Sequence, residues 1–218
     1  MTCYSWRGGE GWEGLREHVA RALDALRFYE ERGYGVLVEQ RLGVEDGAGL
    51  LRLLVALHDL GKAADGYQGA CDAGPCGFRG HEYISAYAAY PVFEGLYGRR
   101  VADAAAAAIM LHHHTMRDRL DGVPREWRLR GECLVELGGL VGVDLSRVRA
   151  GGSRRGVEGF ARPLEGRVRG MFPGVAVLLY PLVVVDNVAA ARRGGGGTMV
   201  GEEAVRLYGE WRRNRIIW

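Results

Sequence analysis

Every histidine of this 218-residue chain lies on, or at the end of, an apolar helical stretch. From Trp12 to Tyr29, Leu15, Val19, Ala22, Leu26 and Tyr29 step by four and three and share one helix face. His18 flanks that stripe and points partly inward. Ala48–Leu57 is apolar almost all round, as in a central buried helix, and places His58 and Asp59 in its last turn, with Gly61 positioned to end it. His81 opens a further helix that runs to Tyr90 and is expected to stop at Pro91. Val101–Leu111, rich in the small helix former alanine, delivers His112, His113 and His114 at its C-terminal end. A chain patterned this way has to fold so that several helices bring their histidines together.

The rest of the pattern is consistent with one mostly helical domain spanning 1–218. Asp65–Gly80 reads as a loop and Glu126–Leu137 as a helix. Arg147–Arg169 holds seven arginines against Glu158 and Glu165, with many glycines, and reads as a mobile basic loop. Arg154 and Arg155 there could track a phosphate backbone and Phe160 could stack a base; a solvated surface loop is the plainer alternative. Val175–Arg193 is an apolar element, Gly194–Gly197 a turn and Glu202–Arg213 a final helix. Val175–Ala191 carries Pro181, Asp186 and Asn187 and is short for a membrane span. With no apolar signal core at the N-terminus, the chain is expected to be cytoplasmic and not membrane-bound.

Formal net charge is only +2, so basic character has to be judged locally. Of 29 basic residues only Lys62 is lysine. Lysine is a point charge and arginine a planar fork, so a site can require one and reject the other. Asparagine and glutamine are scarce (Gln40, Gln68, Asn187, Asn214), which fits a thermophile. A GC-rich genome equally explains the arginine bias. Four cysteines do not make a disulfide scaffold in a chain this long. A local Cys71–Cys76 bridge is an option, and a structural zinc site there is weak.

Neutral imidazoles and carboxylates are the ligands that borderline divalent metals take. Asp186 lies between Val183–Val185 and Val188–Ala191, where an ionised carboxylate costs several kcal/mol unless paired or metal-bound. A lone histidine or His-Asp pair is usually structural, but here that explanation would have to hold four times. A site with this many ligands can hold two metals, and paired metals suit phosphoester hydrolysis.

The strings His58-Asp59-Leu60-Gly61-Lys62 with Tyr67-Gln68, Arg79-Gly80-His81-Glu82 with Ser85-Ala86, then His112-His113 and Asp186 resemble the HD-type nuclease of type I CRISPR interference. More narrowly, they resemble the stand-alone nuclease subunit of archaeal systems in which nuclease and helicase are separate chains. The resemblance implies a helical bundle of the HD phosphohydrolase type. It implies one metal held by His18, His58, Asp59 and Asp186, and a second held by His81, His112 and His113 with Asp59 bridging; His113-His114 is the alternative register. It further implies a nuclease cutting single-stranded DNA with two divalent ions; side chains rich in histidine and aspartate suit Mn, Fe, Ni or Co better than Mg or Ca, which prefer oxygen. Asp59 would be catalytic, and Lys62 would stabilise a phosphate or Asp59. The chain has no Gly-x-x-x-x-Gly-Lys-[Ser/Thr] loop, so a separate helicase and a CRISPR surveillance complex are the expected partners. The rival functions are an HD-type nucleotidase or cyclic-nucleotide phosphodiesterase, and a non-catalytic interaction subunit.

Overall fold

In a computed structural model, residues 3–9, 11–113, 119–191 and Glu202, Glu203, Arg206, Tyr208 and Gly209 are described. Two short strands, β1 (Tyr4–Arg7) and β2 (Trp12–Gly14), form an antiparallel hairpin ahead of α1 (Leu15–Glu30). There follow α2 (Tyr34–Leu42), α3 (Gly47–Leu57), α4 (Asp65–Ala73), α5 (His81–Tyr97) and α6 (Arg99–Leu111). Then come β3 (Glu126–Arg128), α7 (Gly131–Val141), β4 (Gly151–Ser153), α8 (Arg154–Val168) and α9 (Phe172–Ala190). β3 and β4 pair antiparallel. The described chain is thus a helical bundle, with α3 at its centre burying Leu50, Leu51, Leu53, Leu54, Val55, Ala56 and Leu57.

The alanines of α6 explain its pairing with α5: Ala102 and Ala104 to Ala108 are all buried, so two backbones approach closely. α9 packs against α1, α2, α3 and α6. The stretch Arg154–Ala190 is long and apolar enough to cross a membrane by length and composition; the buried Val175, Val177, Leu178, Leu182 and Val185 face its helical neighbours as in a core helix.

Several elements differ from the sequence expectation. Trp12–Gly14 is a strand, so α1 starts at Leu15. The expected loop Asp65–Gly80 contains α4, which buries Tyr67, Gln68 and Cys71. Glu126–Leu137 is not one helix: Trp127 and Leu129 are buried and alternate with exposed residues, a strand's period, before α7 begins. α2, which has no strong apolar period, docks on α3.

The basic segment 147–169 is not a loop. It holds β4 and the whole of α8, N-capped by Ser153, whose Oγ accepts from Gly156 N at 3.2 Å. Its buried stripe, Val157, Ala161 and Leu164, is spaced by four and three but diluted by arginine and glycine. Several of its arginines are structural: Arg167 is bidentate on Asp103, at 3.0 Å on each oxygen, and Arg154 Nε donates to Val123 O.

Pro91 does not stop its helix. A proline inside a helix leaves the carbonyl four residues back without its donor. Here that is Tyr87 O, and Arg149 Nη1 donates to it at 3.0 Å, while Arg149 N donates to Ala88 O at 3.0 Å. α5 therefore continues to Tyr97.

All four cysteines are paired, as Cys71–Cys76 and Cys3–Cys133. The second pair joins residues 130 apart and ties the start of β1 to α7, a partnership no local spacing reveals. The Gly194–Gly197 turn and His114 lie outside the described residues, as does most of Glu202–Arg213, whose five described residues are helical.

Candidate metal centre

The ends of α3, α5 and α6 and the interior of α1 and α9 meet at one buried point. His58 is the C-cap of α3 and His112 the C-cap of α6; His81 is the first residue of α5. Asp59 follows His58 and leads into a 3-10 turn, Leu60–Ala63, that carries Lys62. Gly61 lacks the left-handed conformation of a helix-ending glycine. What it provides is closeness: a Cβ there would lie 2.1 Å from His81 O and 2.9 Å from Ser85 N. Instead Gly61 N donates to Ser85 Oγ at 2.7 Å, and that hydroxyl donates to His81 O at 2.9 Å. The turn bearing Asp59 and Lys62 is thereby pinned against the N-terminus of α5.

Two ligand clusters result, each with donor atoms within 4.8 Å of one another: His18, His58, Asp59 and Asp186, and His81, His112 and His113. Asp59 stands between them. Its Oδ1 is 2.8 Å from His81 Nε2 and 3.9 Å from His112 Nε2. Its Oδ2 is 3.3 Å from His18 Nε2, 3.5 Å from His58 Nε2 and 2.6 Å from Lys62 Nζ. Asp186 Oδ1 is 3.0 Å from His18 Nε2 and 3.5 Å from His58 Nε2. His18, His58, Asp59, His81 and His112 are all buried.

The proton positions favour a cation. His58, His81 and His112 each pair Nδ1 with the carbonyl three residues back, Val55 O, Phe78 O and Ile109 O, at 2.7, 2.7 and 2.5 Å. A carbonyl only accepts, so Nδ1 carries a proton and, in the neutral ring, Nε2 presents a bare lone pair to the cluster. The Nε2 atoms of His58 and His112 are buried without a hydrogen-bond partner, and His81 Nε2 and Asp59 Oδ1 face one another at 2.8 Å. Lone pairs converging on one another are costly unless a cation lies among them. The residues present therefore fit divalent metal.

Electrostatics favour the neutral ring at His18, His81, His112 and His113 and the protonated ring at His58. Burial lowers the pKa of His18 and of His112 to about 4, and lowers those of His81 and His113. Burial also disfavours protonated His58, but Asp59 and Asp186 outweigh it and raise that pKa. Burial alone would raise both carboxylates. Lys62, His58 and His81 hold Asp59 well below its usual range, and His18 and His58 do the same for Asp186.

The three residues expected to touch nucleic acid lie elsewhere. Arg155 is exposed at the start of α8, Arg154 is tied to Val123 O, and Phe160 packs on Tyr87 and Tyr90 with ring centroids 5.5 and 5.1 Å apart. Three further contributors carry roles that the sequence does not assign: Gln68 and Glu82, which stand in the motif strings, and Glu13, which does not. Gln68 links Lys62 to β1, donating to Lys62 O at 2.6 Å and accepting from Tyr4 N at 2.8 Å. Glu13 and Glu82, both buried, stand behind His18 and His81, with Nδ1 to carboxylate distances of 3.4 and 3.3 Å. Glu82 adjoins His81 in its motif string, whereas the only signal for Glu13 is an acidic residue five positions before His18.

A helical bundle in which a His-Asp pair meets histidines from three other helices is of the HD phosphohydrolase type. Within that class, the chain is similar to HD-type nucleases of CRISPR interference. It is 30% identical over 122 residues to the CRISPR-associated endonuclease Cas3-HD of Pyrococcus furiosus, covering 52% of this chain and 49% of that protein. It is 33% identical over 120 residues to the protein of the same name from Thermoproteus tenax, covering 53% and 46%. The match thus spans about half the length of these curated relatives. The fold matches the CRISPR-associated Cas3 HD domain protein of Methanocaldococcus jannaschii with a TM-score of 0.59 and 22% identity, over 78% of this chain and 95% of that one. No protein-family model matches the chain.

Proposed function

We propose that this chain is a divalent-metal-dependent nuclease that hydrolyses phosphodiester bonds, preferentially in single-stranded DNA, in CRISPR antiviral defence. The observation that carries the reading is Asp59, whose two oxygens face two separate ligand clusters. His18, His58, Asp59 and Asp186 would hold one ion, and His81, His112 and His113 a second shared through Asp59. Bound there, divalent ions supply a water of lowered pKa and neutralise charge on the phosphate. Five imidazoles and two carboxylates favour Mn, Fe, Ni or Co over Mg or Ca, which prefer all-oxygen sites.

The protein's own groups do the rest. Asp59 is kept ionised by Lys62, whose ammonium has three donors and uses one on Oδ2. The other two are available to a non-bridging phosphate oxygen, where fixed donors stabilise developing charge. The carbonyl partners of His58, His81 and His112 hold the rings so that no proton blocks Nε2.

Arg154, Arg155 and Phe160 are proposed to guide the strand. Of the three, Arg155 is the one most open to solvent, and Phe160 would have to leave its tyrosine neighbours to stack a base. The curated relatives are CRISPR-associated endonucleases by name. On that basis a separate helicase and a surveillance complex would expose the single strand in the cytoplasm.

The test is cleavage of end-labelled single-stranded DNA, blunt duplex and free nucleotides by metal-stripped protein, with Mn²⁺, Ca²⁺ or EDTA added. Single-strand cleavage that needs Mn²⁺ and fails in Ca²⁺ and in EDTA is expected. Preference for free nucleotides over any polymer would replace this reading with a nucleotidase; no metal-dependent hydrolysis at all would favour an interaction subunit.

A further inference from the structure

Of the four histidines whose Nε2 atoms surround Asp59, three sit at helix ends and one does not. His58 and His112 follow the last turns of α3 and α6, where backbone carbonyls have no helical donor, and each ring takes one of those oxygens. His81 opens α5 and uses Phe78 O in the preceding loop. His18 is the fourth residue of α1, and the carbonyls of the turn before it belong to the helix's own ladder. The group beside its Nδ1 is a side chain from outside the helix.

His18 Nδ1 faces Glu13. The Glu13 carboxylate is 5% exposed, and its Oε2 lies 3.4 Å from His18 Nδ1, on the side of the ring opposite Asp59 and Asp186. Glu13 Oε1 is paired with the Arg21 guanidinium, one turn along α1 from His18. The strand that carries Glu13 is anchored as well. Trp6 pairs with Glu13 across the hairpin, Leu15 N donates to Cys3 O at 2.6 Å, and Cys3 is bonded to Cys133.

We infer that Glu13 is the positioning residue of His18: it accepts the Nδ1 proton, fixes the ring's orientation and tautomer, and leaves Nε2 free as a metal ligand. Arg21 holds Glu13 in turn. This inference rests on reading the cluster as a metal centre. A histidine ligand needs a partner on its other nitrogen, and losing that partner weakens metal binding about 10–100-fold. In the other three ligands a backbone oxygen fills this role and cannot be mutated; in His18 it falls to a side chain.

The test uses Zn²⁺, a diamagnetic probe, titrated calorimetrically into metal-stripped protein, with the His18-dependent step identified as the one lost in His18→Ala. Glu13→Ala should weaken that step about 10–100-fold without lowering the melting temperature of the metal-free protein to the same degree in relative terms. Glu13→Gln, which keeps an acceptor oxygen, should recover most of the affinity. In the zinc-loaded protein, long-range proton–nitrogen spectra should show His18 protonated on Nδ1 in the wild type and in Glu13→Gln, with that proton exchanging fast in Glu13→Ala. Glu13→Ala with wild-type affinity and a protected Nδ1 proton would overturn the inference. So would a Glu13→Gln variant as weak as Glu13→Ala, since the loss would then be structural. Wild-type protein that takes up no zinc would instead overturn the metal centre itself, and this inference with it.

Discussion

Gly61→Ala should separate closeness from helix ending. The added Cβ would lie 2.1 Å from His81 O. That contact has to open by about 1.3 Å before it reaches the 3.4 Å of ordinary van der Waals contact. Neither side is a flexible side chain: His81 O is backbone at the start of α5, and Ser85 N stands 2.9 Å away on the same helix. The 3-10 turn must therefore move off α5, taking Asp59 and Lys62 with it and stretching the 2.8 Å approach of Asp59 Oδ1 to His81 Nε2. Overpacking of this kind costs about 1–3 kcal/mol, and a shift near 1 Å in a catalytic arrangement costs about 100-fold in rate. The assay pairs urea unfolding with Mn²⁺-dependent cleavage and metal affinity. Gly69→Ala in α4 is the control, because a Cβ there meets nothing within 4 Å, and alanine in an exposed helix should raise stability by about 0.5–1 kcal/mol. Gly61→Ala matching Gly69→Ala in metal affinity and cleavage would refute the idea that Gly61 sets the distance between the two halves of the site.

Asp59→Asn should lose cleavage while keeping its fold by circular dichroism, because the amide matches the carboxylate in size and keeps an oxygen that accepts from Lys62; Asp59→Ala, which removes that acceptor as well, should destabilise further, by up to about 3–5 kcal/mol in all. Cleavage by Asp59→Asn near the wild-type rate would sink the bridging role. In EDTA, stability should fall as pH drops from 6.5 towards about 4. His18 and His112 are held to about 4, so the unfolded chain takes up protons first across that window. Each contributes a loss on the order of 3 kcal/mol if fully expressed. His58, raised instead, opposes them by stabilising the folded state at low pH; stability that is flat or rising towards pH 4 in denaturant titrations would show that His58 dominates. Cys3→Ser should lower stability by about 5 kcal/mol on the loop-entropy account, given partners 130 positions apart; a midpoint shift equal to that of Cys76→Ser, which opens a loop of only a few residues, would contradict that account.

What is legible in the sequence, and what is hidden, divides along one physical line. The histidines and Asp186 stand out because a polar group in an apolar helical stretch is costly unless something binds it, and cost is visible in one dimension. The long apolar helices are legible for the same reason. α8 is not, because its buried stripe is only Val157, Ala161 and Leu164 and the residues between are arginine and glycine. Pro91 misleads because the donor that replaces its missing N–H, Arg149, lies 58 positions away in the sequence. Gly61 misleads in a different way. A glycine after an apolar helix suggests a helix end, whereas the contact that forbids a side chain here is His81 O, in another helix.

The supporting acceptors behind the ligands are the least legible feature. For His58, His81 and His112 they are main-chain oxygens, which leave no trace in residue identity. For His18, which sits inside a helix, the inferred acceptor is a side chain, Glu13. A metal site built at helix ends can therefore be read from its ligands alone, while a ligand drawn from a helix interior needs an acidic partner supplied by another segment. In this chain that segment is the β1–β2 hairpin, which a disulfide and Gln68 fasten to the helices.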